Sequence, residues 1–197
     1  ERLRGMGGMS SVFLARREDG VAAAVKLLHP VLMRYPEARA RFSREGPIKS
    51  ALAAVGPLCE GLPDVYETGE TDDGIPYLAM ELLEGETLAD RLDREKTLPI
   101  GQALFVAQRV LDVLVLAHEN DVIHRDLKPE NVFLPASGGV KVLDFGVARV
   151  STPLPSGADL PKVARTKTGS IIGSARYMAP EQAVGKVALI DARTDLF

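Results

Sequence analysis

The chain has no tryptophan, and aromatic residues make up only 5% of its 197 residues. Platforms that stack nucleic-acid bases need aromatic side chains set in a basic groove. The basic groove is lacking as well, since 24 Lys and Arg face 27 Asp and Glu for a net charge of −3. No nucleic-acid partner is expected. The single cysteine, Cys59, excludes an internal disulfide and fits a reducing compartment such as the cytoplasm. His29, His118 and His124 stand at unrelated spacings, which argues against structural zinc. No apolar run of membrane-spanning length and no signal-peptide layout are expected. The opening ERLRGMGG lacks an initiator methionine and reads as the interior of a motif, so the chain is taken as a piece of a longer protein.

What is present is the balance of a globular protein, 46% hydrophobic and 26% charged. That length suits one large domain or two small lobes. SSVFLARRE and VAAAVKLL, joined at EDG, read as a β-hairpin. PEARARFSRE has helix-forming composition and begins with Pro36, a good first-turn residue. GIPYLAMELL is a further short apolar run, and the composition changes at a hinge near residues 82–85. Thr87 and Asp90 form a capping-box pattern ahead of ADRLDRE. The longest periodic segment, PIGQALFVAQRVLDVLVLAHE, places Leu104, Ala107, Leu111, Leu114 and Ala117 on one expected face. NVFL, a turn at 137–139 and VKVL follow, and residues 147–178 read as a long functional loop.

HRDLKPEN at 124–131 carries an acid, an ammonium and an amide on a stretch without helical or strand periodicity. DFG follows at 144–146 and APE at 179–181; upstream stand GMGGMSSV at 5–12 and AAAVK ending at Lys26. In this order the motifs resemble the signature set of protein kinases, and GGMS at 7–10 resembles the bacterial type of serine/threonine kinase. The resemblance covers nearly the whole chain. It implies an α+β bilobal fold, with a small β-rich N-lobe over 1–83 and a mainly helical, incomplete C-lobe over 84–197. It also implies ATP and Mg²⁺ as cofactors and protein hydroxyls as substrates.

Phosphoryl transfer needs the attacking hydroxyl aimed and the moving charge neutralised, with little covalent chemistry. By resemblance Asp126 takes the hydroxyl proton, Lys128 sits beside the transferring phosphate, and Asn131 and Asp144 hold Mg²⁺ through hard oxygens. Lys26 clamps the α- and β-phosphates and Glu45 holds Lys26. Gly5, Gly7 and Ser10 form the phosphate loop, with serine at the third glycine position. Val12 and Ala24 cover the adenine from above and Phe133 from below; Met80 is the gatekeeper, and the backbone of Glu81 and Leu83 meets the adenine edge. Lys128 also favours serine or threonine over tyrosine as acceptor.

The pattern breaks on the helix that carries Glu45. Gly46-Pro47 follows at once, and proline inside a helix costs about 3 kcal/mol or more. Lys49 stands where the family has an apolar residue. The favoured expectation is a kink after Glu45 that lets Ile48 or Leu52 fill the apolar slot; the alternative ends the helix at Glu45 and loosens the ion pair. In the long loop, Arg149, Lys162, Arg165, Lys167 and Arg176 outweigh Asp159. Thr166, Thr168 and Ser170 lie where the family is phosphorylated, with Arg125 as the partner of a phosphate there and a homodimer as the route to autophosphorylation. Ser174 replaces the usual threonine. Asp195 resembles the aspartate that braces the catalytic loop, and the arginine expected to pair with Glu181 is absent. Apolar surface is therefore expected to stay uncovered on 103–117 and at RYMAPEQ. Two rival readings are a nucleotide-binding pseudokinase, resting on Gly46-Pro47 and Lys49, and a small-molecule phosphotransferase, which usually lacks the full HRDLKPEN and APE set.

Overall fold

The structure is a computed structural model that describes residues 2–6, 9–17, 19–54, 60–145 and 176–197. Five strands, β1 (Arg2–Met6), β2 (Ser10–Arg16), β3 (Ala22–Leu28), β4 (Val65–Glu70) and β5 (Pro76–Glu81), form one antiparallel sheet in the order β1-β2-β3-β5-β4. The β2–β3 hairpin closes at Gly20, whose φ of 85° is open to glycine at little cost, and the Asp19 carboxylate accepts from the Val21 backbone N–H at 3.0 Å. β3 is central, so its short Ala23 and Ala24 are buried and Lys26 is held between β2 and β5, opposite Val12 and Leu78.

Helix α1 (Pro36–Ala54) packs on this sheet, with Ala38 and Phe42 buried beside Leu28, Leu32 and Leu78. It runs unbroken through Gly46 and Pro47, which overturns the alternative that it ends at Glu45. Gly46 is what allows so close an approach: a Cβ there would lie 2.2 Å from Thr68 Cγ2 on β4 and 3.2 Å from Leu78 Cδ1 on β5.

A second sheet, β6 (Gly85–Thr87), β7 (Val132–Pro135) and β8 (Lys141–Val142), lies with helices α2 (Leu88–Glu95) and α3 (Ile100–Glu119). The Thr87–Asp90 capping box is formed, with Asp90 N–H donating to Thr87 Oγ1 at 3.1 Å. Helix α3 corrects the expected stripe. Leu114 and Ala117 are buried as expected, but Leu104 is 66% and Leu111 48% exposed, and the core face is made by Val106, Val110 and Val113. Apolar residues surround this helix, so periodicity alone could not choose the face. By length and composition α3 could also cross a membrane, against the sequence expectation; in this fold six of its side chains are buried. Its Val106, Val110, Val113 and Leu114 join Leu52, Val142 and Phe145 in the second core cluster. A four-residue helix, α4 (Pro180–Ala183), and the short helical turns Pro30–Leu32, Pro129–Asn131, Val187–Leu189 and Ala192–Leu196 complete the described elements.

Candidate active site

The site begins where β3 delivers Lys26 beneath α1. Lys26 Nζ donates to Glu45 Oε2 at 2.8 Å, to Glu45 Oε1 at 3.0 Å and to Asp144 Oδ1 at 2.6 Å. The Lys26 and Glu45 side chains are 9% and 10% exposed, while half of the Asp144 side chain remains open. The ion pair therefore survives Pro47, although that residue has no N–H to offer the Ser43 carbonyl. The apolar slot beside the DFG phenylalanine is filled as the favoured expectation required: Leu52 is buried with Phe145, and Ile48 packs against the same cluster. Lys49 turns instead to Glu45 Oε1 at 2.9 Å and is itself 1% exposed. Loss of hydration, around the buried Lys26 and on the enclosed side of Asp144, works against charge on both. For Asp144 the Lys26 and Lys49 ammonium groups outweigh it and hold the carboxyl well below its usual range; Asp144 and Glu45 likewise hold Lys26 above its own.

The HRDLKPEN loop follows α3 and is fixed from below by Asp195, whose side chain is fully buried. Its Oδ2 accepts from the backbone N–H of His124 at 2.8 Å and from His118 Nε2 at 2.8 Å, and its Oδ1 accepts from the Arg125 N–H at 2.7 Å. His124 is 0% exposed. It donates from Nε2 to the Leu143 carbonyl at 2.9 Å, accepts from the Asp126 N–H at 3.3 Å, and lies 4.8 Å from the Phe145 ring. Burial pushes its pKa down, in keeping with this neutral tautomer. Arg125 and Asp144 sit at φ of 64° and 47°, a left-handed strain of about 1–3 kcal/mol each that only a well-braced site retains.

Above these braces, Lys128 Nζ donates to Asp126 Oδ2 at 2.7 Å. Asn131 Nδ2 donates to the Asp126 carbonyl at 2.8 Å and to Asp126 Oδ2 at 3.3 Å, which turns its amide oxygen away from Asp126. The Leu143 N–H donates to the Asn131 carbonyl at 2.8 Å, tying the loop to the residue before Asp144. Acid, ammonium and amide thus meet at one point, with the Asp144 carboxylate on the neighbouring strand end.

A cleft of about 460 Å³ opens beside this group. Val12, Ala24, Met80, Leu83 and Phe133 line it with Glu81, and Lys49 and Asp144 also reach its wall. The residues expected to hold an adenine are therefore together. A larger hollow, about 610 Å³, lies behind residues 81–84 against α3 and the β7–β8 turn, but Lys26, Asp126, Asn131 and Asp144 take no part in it. Gly5 pairs with Val12 across β1 and β2; Ser10, 6% exposed, pairs with Leu28 and is not among the residues lining the cleft. Gly7, Thr166, Thr168, Ser170 and Ser174 lie outside the described residues.

Besides the His124 and Lys49 contacts above, three more escaped the sequence reading. Gln182 donates to the Arg125 carbonyl at 2.8 Å, linking the residue after APE to the catalytic loop. Glu181 accepts from Thr194 Oγ1 at 2.6 Å. Lys141 bridges the Leu62 carbonyl and Glu81 at 2.9 and 2.6 Å, pinning the chain at the cleft edge. Only the first had a signal, its position directly after a recognised motif.

Residues 1–197 match the family described as the protein kinase domain. The chain belongs to the protein kinase family. It is 38% identical over 200 residues to the serine/threonine-protein kinase PknB of Mycobacterium leprae, covering 98% of this chain and 29% of that relative. The same identity and coverage relate it to PknB of Mycobacterium tuberculosis strain H37Rv, so the chain spans 29% of the length of either relative. Protein kinases use ATP with a divalent metal. The donor set fits both: hard oxygens on Asn131 and Asp144 suit such an ion, and Lys26 suits phosphate.

Proposed function

We propose that this chain is the catalytic part of a bacterial-type serine/threonine protein kinase that transfers phosphate from ATP to protein hydroxyls. The observation that carries the reading is the 2.8 Å contact between Lys26 and Glu45, present together with Asp126, Lys128 and Asn131 in hydrogen-bonding reach of one another. It supports transfer over the rival reading of a nucleotide-binding scaffold, which rested on Gly46-Pro47 breaking that contact.

In this reading Asp126 orients the acceptor hydroxyl and takes its proton, while Lys128 leaves Asp126 to neutralise the transferring phosphate. Lys26 grips the α- and β-phosphates and Glu45 keeps it aimed. Asn131 and Asp144 hold the Mg²⁺, which supplies charge neutralisation of the phosphates when bound. Val12, Ala24 and Phe133 enclose the adenine beside Met80, and the backbone of Glu81 and Leu83 meets its edge. Gly5, Gly7 and Ser10 cover the phosphates. Autophosphorylation at Thr166, Thr168 or Ser170 by a second copy, with Arg125 as phosphate partner, is part of the same proposal, as is a cytoplasmic setting for the catalytic residues.

The test uses the full-length protein with γ-labelled ATP, Mg²⁺ and a generic protein acceptor, followed by analysis of the labelled amino acids. Label on serine and threonine is expected. Label confined to tyrosine, or nucleotide binding without transfer, would contradict the proposal.

A further inference from the structure

Lys49 is the most deeply buried cation among the described residues, 1% exposed, yet the sequence gives it no role. A lysine removed from water costs several kcal/mol unless its charge is met, and an apolar residue of similar volume fills such a slot more cheaply. Its charge is met by Glu45 Oε1 at 2.9 Å, one helical turn back on α1. The same oxygen accepts from Lys26 at 3.0 Å, and Oε2 accepts from Lys26 at 2.8 Å. Two ammonium groups thus meet two carboxylates, those of Glu45 and Asp144, inside one small volume. Lys49 and Asp144 also share the wall of the cleft.

The contacts are unequal in permanence. Asp144 lines the cleft, and in the kinase reading Lys26 turns to nucleotide phosphate, so a ligand that engages either of them withdraws it in part from this cluster. Glu45 and Lys49 sit on one helix and keep their contact whatever Lys26 does. We propose that Lys49 is a positioning residue: it fixes the Glu45 carboxylate on α1 so that Glu45 stays aimed at Lys26 when Lys26 turns to nucleotide phosphate. This rests on the kinase reading above and adds to it a residue that the family pattern leaves apolar.

The test is a double-mutant cycle on the full-length protein, with Lys49→Met, Glu45→Gln and the pair. The readout is the Kd for Mg²⁺ with a non-hydrolysable ATP analogue, by calorimetry, beside each variant's melting temperature. Lys49→Met alone is expected to weaken binding roughly tenfold, within the range of couplings between contacting groups. In the Glu45→Gln background the same change is expected to add little. No effect of Lys49→Met overturns the inference and leaves Lys49 as a slot filler; an equal effect in both backgrounds overturns it too and makes Lys49 a cleft-wall residue that acts independently of Glu45. If Glu45→Gln does not fold, Glu45→Asp takes its place in the cycle, because Lys49 also lines the cleft and only a second background separates positioning of Glu45 from direct contact with the ligand. A parent protein that binds no analogue overturns the kinase reading and this inference together, whereas binding with additive effects overturns this inference alone.

Discussion

Asp195 holds the catalytic loop with three hydrogen bonds, two of them from backbone N–H groups. Glu45 holds Lys26 from a helix in which glycine and proline follow it directly. In the first region a buried acid grips fixed backbone, and Asp126, Lys128 and Asn131 inherit their place. In the second the acid sits on an element whose own hydrogen bonding is weakened at Pro47. That element is kept in position by a close approach at Gly46 and by two lysines. The HRDLKPEN loop is thus placed by one buried acid that grips its backbone from far along the chain, and the Lys26 contact by the packing of α1 against β4 and β5.

Asp195→Asn breaks the first region and carries the largest expected effect. An amide cannot accept on both sides, so at least one buried donor loses its partner; about 3 kcal/mol of stability and roughly a hundredfold in transfer rate are expected to go. Denaturant unfolding and a transfer assay check the two parts. An unchanged rate would show that the loop keeps its shape without this brace.

Gly46→Ala acts on the second region. The new methyl would meet Thr68 Cγ2 at 2.2 Å, and the crowding exceeds the helix-propensity gain by about 1 kcal/mol. Lifting α1 also lengthens the Lys26–Glu45 contact, so affinity for nucleotide should fall with stability. Adding Thr68→Ser, which removes the offending methyl, should restore both; failure of that rescue would place the role of Gly46 elsewhere.

An exposed network gives the smallest effect and a contrast to both regions. Arg94 and Arg91 hydrogen-bond Glu86 and hold its carboxyl down at about 2 from an ordinary 4.5. The stabilisation it lends is present above the ordinary value and fades as pH falls toward 2. Glu86→Gln should remove that step from the acid side of a melting-temperature profile, with little change at neutral pH, because solvent screens such pairs.

Much of this site was legible in the sequence because HRDLKPEN is local: Asp126, Lys128 and Asn131 sit within six residues and find one another through a short turn. The brace by Asp195 was also readable from its motif. The roles of His124 and Gln182 were not, since their partners, Leu143 and Arg125, lie far along the chain. Lys49 looked like a defect because a lysine's charge partner is invisible in a string of letters; burial beside Glu45 makes it part of the site. The buried face of α3 was misassigned for a related reason. When apolar residues surround a helix, the face is chosen by what packs on it, here Val142 and Phe145.

Helix α1, despite Pro47, brings Glu45 to Lys26 beside the braced HRDLKPEN loop, and the proposed transfer depends on that pair. The most direct test of that transfer is the intact mass of the full-length protein after incubation with ATP and Mg²⁺, beside Asp126→Asn. Phosphate additions in the parent, reduced about a thousandfold in rate by Asp126→Asn as expected for loss of a general base, are the predicted result. An unmodified parent that still gains thermal stability from ATP would contradict the claim and leave a nucleotide-binding protein without transfer.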